Sequence, residues 1–150
     1  MRLIFLLLFL VSCASVKMRS DVLPHVKTFE EYCNCKVEVP IKIVPIPKSE
    51  KDKKEGTKTL GICYGFKMFK PFRSIEIDVF YWKYASDCER EATVLHELAH
   101  CELDLEHEEA WFYPDFYLFM RPKSLMHPYS FPQYCTHRDE YLKELFKRKK

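Results

Sequence analysis

The chain has 150 residues, 47% of them hydrophobic and 15% aromatic, which is one domain of ordinary size with enough apolar material for a real core. Its formal net charge is only +2, from 24 basic and 22 acidic residues, so nothing points to a nucleic-acid partner, and the terminal Lys147-Arg148-Lys149-Lys150 reads as a short solvated tail.

Residues 1–12 read as a signal peptide, with Arg2 ahead of a continuous apolar run from Leu3 to Val11 that is too short to span a membrane. The run ends in Leu10-Val11-Ser12-Cys13, which resembles the bacterial lipobox, where the cysteine is lipidated and becomes the mature N-terminus. Cleavage after Ala14, as in an ordinary secretory signal, is the alternative, and either reading exports the protein. Residues 13–23 are then a lipidated N-terminus and tether, and residues 24–150 form the domain. Residues 24–33 are expected to be helical, with Pro24 early and Val26, Phe29 and Cys33 inward. Val37, Val39, Ile41 and Ile43 alternate as in a strand, which Pro40 and Pro45 push toward a sheet edge. Residues 48–58 are charged and read as a solvated loop. Leu60, Ile62, Tyr64 and Phe66 alternate again, as do Ile75, Ile77 and Val79, so two or three antiparallel strands are expected before the next helix. Ser86 and Glu89 match a capping box, which starts a helix over 87–103 rich in buried-type residues. The aromatic stretch 111–120 is expected to be core packing, with a substrate-facing wall as the minority reading, and a last helix is expected over 137–147.

With Cys13 set aside, six cysteines remain, an even number that suggests up to three disulfides in an oxidising compartment. A Cys88–Cys101 bridge is excluded, because the two lie on one helix ~20 Å apart. Cys33 and Cys35 are spaced too closely for the usual cysteine zinc pair.

The chemistry concentrates in His96-Glu97-Leu98-Ala99-His100. On a helix the two histidines project from one face, ~40° apart around the axis and ~6 Å apart along it, and can share one zinc ion at ~2.0–2.1 Å each. Glu97 sits where a metallopeptidase needs its general base. His107 would lie ~16 Å further along an unbroken helix. It can join the site only if the helix stops near Leu103 and the chain reverses, and Asp104 is the residue there best able to take the left-handed conformation. Glu106 competes as third ligand, but imidazole is the commoner zinc partner. Ser124-Leu125-Met126-His127-Pro128 reads as a tight turn carrying a methionine, which by itself is an ordinary core residue. His25, His127 and His137 stand at no ligand spacing and are expected to be surface or satisfied histidines, His127 being of interest for its place beside Met126.

Together these residues resemble the metzincin branch of zinc peptidases, whose pattern is H-E-x-x-H-x-x-G-x-x-H followed by a Met-turn. Two departures stand out: Leu103 occupies the glycine position, and the third histidine comes one residue late. The chain is more similar to short zinc-peptidase lipoproteins of bacteria, matching their HELGHC at 96–101, their third histidine at His107, their S-[IL]-M-x-P turn at 124–128 and a stretch like Glu140-Tyr141-Leu142-Lys143-Glu144-Leu145-Phe146. The likeness covers roughly residues 74–146. It implies an α+β zincin-like fold, a short antiparallel or mixed sheet packed on the active helix, with a Met-turn and a C-terminal helix. It also implies one zinc ion on His96, His100 and His107, Glu97 as base and Met126 beneath the metal. Tyr129, or His127, is expected near the metal or an oxyanion, as a tyrosine after the Met-turn is in some metzincins.

The expected function is a zinc hydrolase acting on a peptide or protein substrate and held at a bacterial membrane through Cys13, facing the periplasm or exterior. The alternatives are a non-catalytic envelope lipoprotein with a structural zinc or a partner-binding surface, and a zinc amidase acting on cell-wall substrates.

Overall fold

The computed structural model describes residues 18–65, 72–112, 120–129 and 132–147. The segment carrying the signal peptide and Cys13, the Phe66 end of the second alternating run, and residues 113–119 of the aromatic stretch lie outside them. The elements in chain order are α1 (Leu23–Cys33), β1 (Ile41–Val44), α2 (Glu50–Glu55), β2 (Gly61–Tyr64), β3 (Ser74–Asp78), α3 (Val79–Tyr84), α4 (Asp87–Leu103), β4 (Trp111–Phe112), β5 (Arg121–Pro122) and α5 (Arg138–Lys147). The class is α+β.

The larger sheet has the order β1-β3-β2. β2 pairs antiparallel with β3, with Cys63 opposite Ile75, but β1 pairs parallel, with Ile41 opposite Ile75. The sheet is therefore mixed rather than purely antiparallel, and β1 is an edge strand as its flanking prolines require. The alternation at Val37 and Val39 does not extend the strand. The Val37 amide instead donates to the Glu30 carboxylate (2.9 Å), and Pro40 has no amide to offer a neighbour. β3 also stops earlier than its pattern suggests, because Asp78 caps α3 by accepting from the Tyr81 amide (2.8 Å), which puts Val79 on a helix.

Residues 50–55 correct the expectation of a loop. Ser49 and Asp52 form a complete capping box, Gly56 ends the turn at φ 68°, and the Asp52 carboxylate, buried under Ser49, Thr57 and Thr59, is held down to about 2 by those donors. Lysine content hid a signal of the kind that marks Ser86 and Glu89.

α4 lies across β2 and β3, and α1 packs against α4 and α5. Leu95, Leu98, Ile75, Ile77, Phe29, Leu142 and Leu145 are fully buried at these contacts, each such side chain contributing ~1.5–3 kcal/mol. Three disulfides close the fold: Cys33–Cys35, Cys63–Cys101 between β2 and α4, and Cys88–Cys135 between the start of α4 and the segment before α5. This is the chemistry of an oxidising, extracellular environment. Among the described residues no helix is long and apolar enough to cross a membrane.

Candidate metal centre

α4 starts where the sequence says it should. Ser86 Oγ accepts from the Glu89 amide (3.3 Å), and the Glu89 carboxylate accepts from the Ser86 amide (2.7 Å). About five turns later Asp104 stands in the left-handed region at φ 54°, ψ 31°. The Leu105 amide then donates to the Ala99 carbonyl (3.1 Å), and the chain doubles back over the helix end. Beyond the reversal, the Glu108 amide donates to the Met126 carbonyl (2.9 Å) and holds the returning segment against the 124–128 turn. His107, between these two anchors, brings its Nε2 to 3.3 Å from His96 Nε2, which in turn is 3.0 Å from His100 Nε2.

Among the described residues, His96, His100 and His107 are the one group whose ligand atoms converge, all within 4.8 Å of one another. The donor set fits a metal ion on two counts. His96 Nδ1 donates to the Leu125 carbonyl (2.7 Å) and His100 Nδ1 to the Leu105 carbonyl (2.6 Å). A carbonyl only accepts, so both rings carry their proton on Nδ1 and turn the Nε2 lone pair toward the centre. Lone pairs at 3.0 Å repel unless a cation lies between them, and a tetrahedral ion at ~2.0–2.1 Å from each nitrogen spaces them ~3.3 Å apart. Burial also keeps these rings neutral, as a metal requires: His96 is held down to about 3, first by desolvation and then by His100, and His100 and His107 are lowered by the same burial.

Glu97 is not one of this group of ligand atoms but lines the same cleft, whose volume is ≈ 640 Å³. It is 6% exposed, and burial pushes its carboxyl up to about 8, partly offset by the Cys63 amide. A Cβ added to Gly61 would lie 2.6 Å from Glu97 Oε1 and 2.7 Å from its Cγ, so β2 passes the carboxyl with its bare backbone.

Met126 is fully buried, and its turn is the shelf behind His96: Leu125 supplies the acceptor for that ring, and Ser124 Oγ accepts from the Met126 amide (3.0 Å) while donating to Glu144 of α5 (2.8 Å). His127 is buried, not at the surface, with Trp111 edge-on at 4.8 Å, and its Nδ1 accepts from the Tyr129 amide (3.4 Å). Tyr129 is half exposed on the cleft wall. Trp111, Phe112 and Met120, the described ends of the aromatic stretch, are exposed rather than core, because β4 pairs only with the short β5. His137 is half-buried beside Glu140, whereas His25 is buried in the α1 interface with its Nε2 lacking a hydrogen bond, 3.6 Å from Asp87, and burial lowers its pKa. His25 is therefore neither a surface nor a fully satisfied histidine.

Two contributors were not visible as motifs. Gly61 is one, its role lying wholly in the side chain it lacks. Arg73 is the other: its buried guanidinium donates to the Cys101 carbonyl and to Asp104 Oδ1 (2.8 Å) at the end of α4.

Fold and site together define an α+β domain with a three-histidine group that could hold a metal ion. Compared with protein-family models, with curated proteins and with solved structures, the chain matches none.

Proposed function

We propose that the protein is a zinc-dependent peptide hydrolase of zincin-like fold. One observation carries the reading: three imidazole Nε2 atoms converge, two of them oriented by backbone carbonyls, in the same cleft as a buried carboxyl of raised proton affinity. Imidazole donors suit zinc. Three protein ligands leave a coordination position open, as catalytic sites require, whereas structural zinc sites close with four. Zinc at this position would polarise a scissile carbonyl and acidify a bound water. Glu97 accepts the proton of the attacking water and delivers it to the leaving amine. Its desolvated surroundings raise its proton affinity, which suits a group that must hold the water's proton before releasing it to the amine. His96 and His100 are kept in register by Leu125 and Leu105, and the Cys63 amide faces the base.

The test separates binding from chemistry. The purified domain should take up one zinc per chain and cleave an unstructured protein substrate, with loss of cleavage on chelation. His96→Ala or His100→Ala should lose the metal, and Glu97→Gln should keep it and lose cleavage. Full cleavage by Glu97→Gln would overturn the assignment. From Leu10-Val11-Ser12-Cys13 we further infer that Cys13 carries lipid and holds the domain on a membrane; a single acyl chain anchors only marginally, so multiple acylation is expected. Mass spectrometry of the native N-terminus checks this, and an unmodified terminus at Ser15 would favour secretion instead.

A further inference from the structure

The metal site depends on a left-handed turn made without glycine, and the structure offers a reason why it holds. A residue with a Cβ in that region costs ~1–2 kcal/mol, and Asp104 sits there at φ 54°. The last four carbonyls of α4, Cys101 among them, have no partner within the helix. Arg73, just ahead of β3 and 3% exposed, reaches both features at once, donating to the Cys101 carbonyl and forming a 2.8 Å ion pair with Asp104. Its stem is admitted by Gly65, at φ 130°, where an added Cβ would lie 2.8 Å from Arg73 Cγ and 3.0 Å from its Cα. The residue after Asp104 is Leu105, whose amide binds Ala99 and whose carbonyl receives His100 Nδ1 (2.6 Å). Two residues later comes His107. The path from Arg73 to two of the three histidines therefore runs through Asp104 and Leu105.

We propose that Arg73 is a positioning residue for the metal centre: by clamping the Cys101 carbonyl and the Asp104 carboxylate it fixes the turn that orients His100 and carries His107 to His96. The proposal rests on the three-histidine reading above. Arg73 acts through the turn, so it takes over the task that a glycine at the helix end would perform by conformational freedom alone.

The experiment measures zinc affinity of the purified, disulfide-intact domain by competition with a chromogenic chelator, with circular dichroism to check folding. Arg73→Met, which keeps the stem and removes the fork, should weaken zinc binding ~10–100-fold, the range for loss of a group that orients a ligand. Arg73→Lys, which keeps the charge but cannot fork to both acceptors, should fall between it and the wild type. The double variant Arg73→Met/Asp104→Gly should return to within a few-fold of wild type, because glycine takes the left-handed turn without a clamp and no unpaired charge is left. A merely structural arginine would not be rescued this way. Wild-type affinity in Arg73→Met overturns the proposal, as does a double variant no better than Arg73→Met. If Arg73→Met alone fails to fold, the double variant still decides. A wild-type domain that binds no zinc removes the metal reading itself, an outcome distinct from normal binding by Arg73→Met.

Discussion

At its N-terminus α4 is finished by its own sequence: Ser86 and Glu89, three residues apart, share three hydrogen bonds at the surface. At its C-terminus the helix is finished by the rest of the molecule. Arg73 arrives from the residue before β3, Cys63 from β2 through its bridge to Cys101, and Met126 holds the chain that leaves. The N-terminal end has one task, to start a helix. The C-terminal end must also aim His100 and return His107, and a turn doing both is secured by partners distant in sequence.

Five perturbations sharpen this contrast. Removing the Cys63–Cys101 bridge with a double alanine variant should have the largest effect, ~4 kcal/mol for a closed loop of this length, read by denaturant unfolding, together with weaker zinc binding. The Cys88–Cys135 bridge at the other end closes a loop of similar length, and its removal should cost about as much stability while leaving zinc affinity unchanged. Equal zinc loss from both would erase the distinction between the two ends.

Asp104→Gly comes next. Backbone freedom alone makes it a gain of up to ~1 kcal/mol. The ion pair reverses the sign, since the buried Arg73 cation would lose the Asp104 carboxylate, and the net expectation is a loss of stability in thermal or denaturant unfolding. A more stable Asp104→Gly protein would mean that the pair contributes nothing.

Glu97→Gln probes the middle of the helix. The Glu97 carboxyl titrates near 8 in the folded chain against 4.5 for an ordinary glutamate, so its contribution is fully present below 4.5 and is lost as pH rises through 8. In metal-free protein the variant should match wild type at pH 4 and be more stable at pH 9. Each tenfold change in proton affinity is worth ~1.4 kcal/mol, so even half of this displacement gives a gap of ~2 kcal/mol. A gap that does not grow with pH would place Glu97 in a wetter site than the structure shows. Ser86→Ala should have the smallest effect, a loss of ~1 kcal/mol with zinc affinity unchanged.

The same contrast explains what could be read in the sequence. α1, α4 and α5 were legible because local signals mark them, an early proline in α1, a capping box in α4 and an apolar stripe in α5, and the end of α4 followed from the geometric demand that His107 approach His96. The parallel pairing of β1 was not legible, since alternation marks a strand but not its neighbour's direction. α2 was hidden because a run of lysines reads as solvent-exposed loop, although Ser49 and Asp52 have the spacing of Ser86 and Glu89. The disulfide partners were not legible beyond excluding Cys88–Cys101, because spacing restrains bridges only within an element. Arg73 left no local trace at all: an arginine before a strand looks like surface until the fold brings Asp104 to it.

The bare backbone at Gly61 has a consequence for the timing of Glu97. With Gly61 packed against its Cγ and carboxyl, the Glu97 side chain surrenders its rotamer freedom when the sheet closes on α4, during folding. In the reaction proposed above, no further ordering of that side chain is needed when it takes a proton. On that proposal the missing methyl group of one glycine moves an entropic cost from the reaction to the folding of the protein.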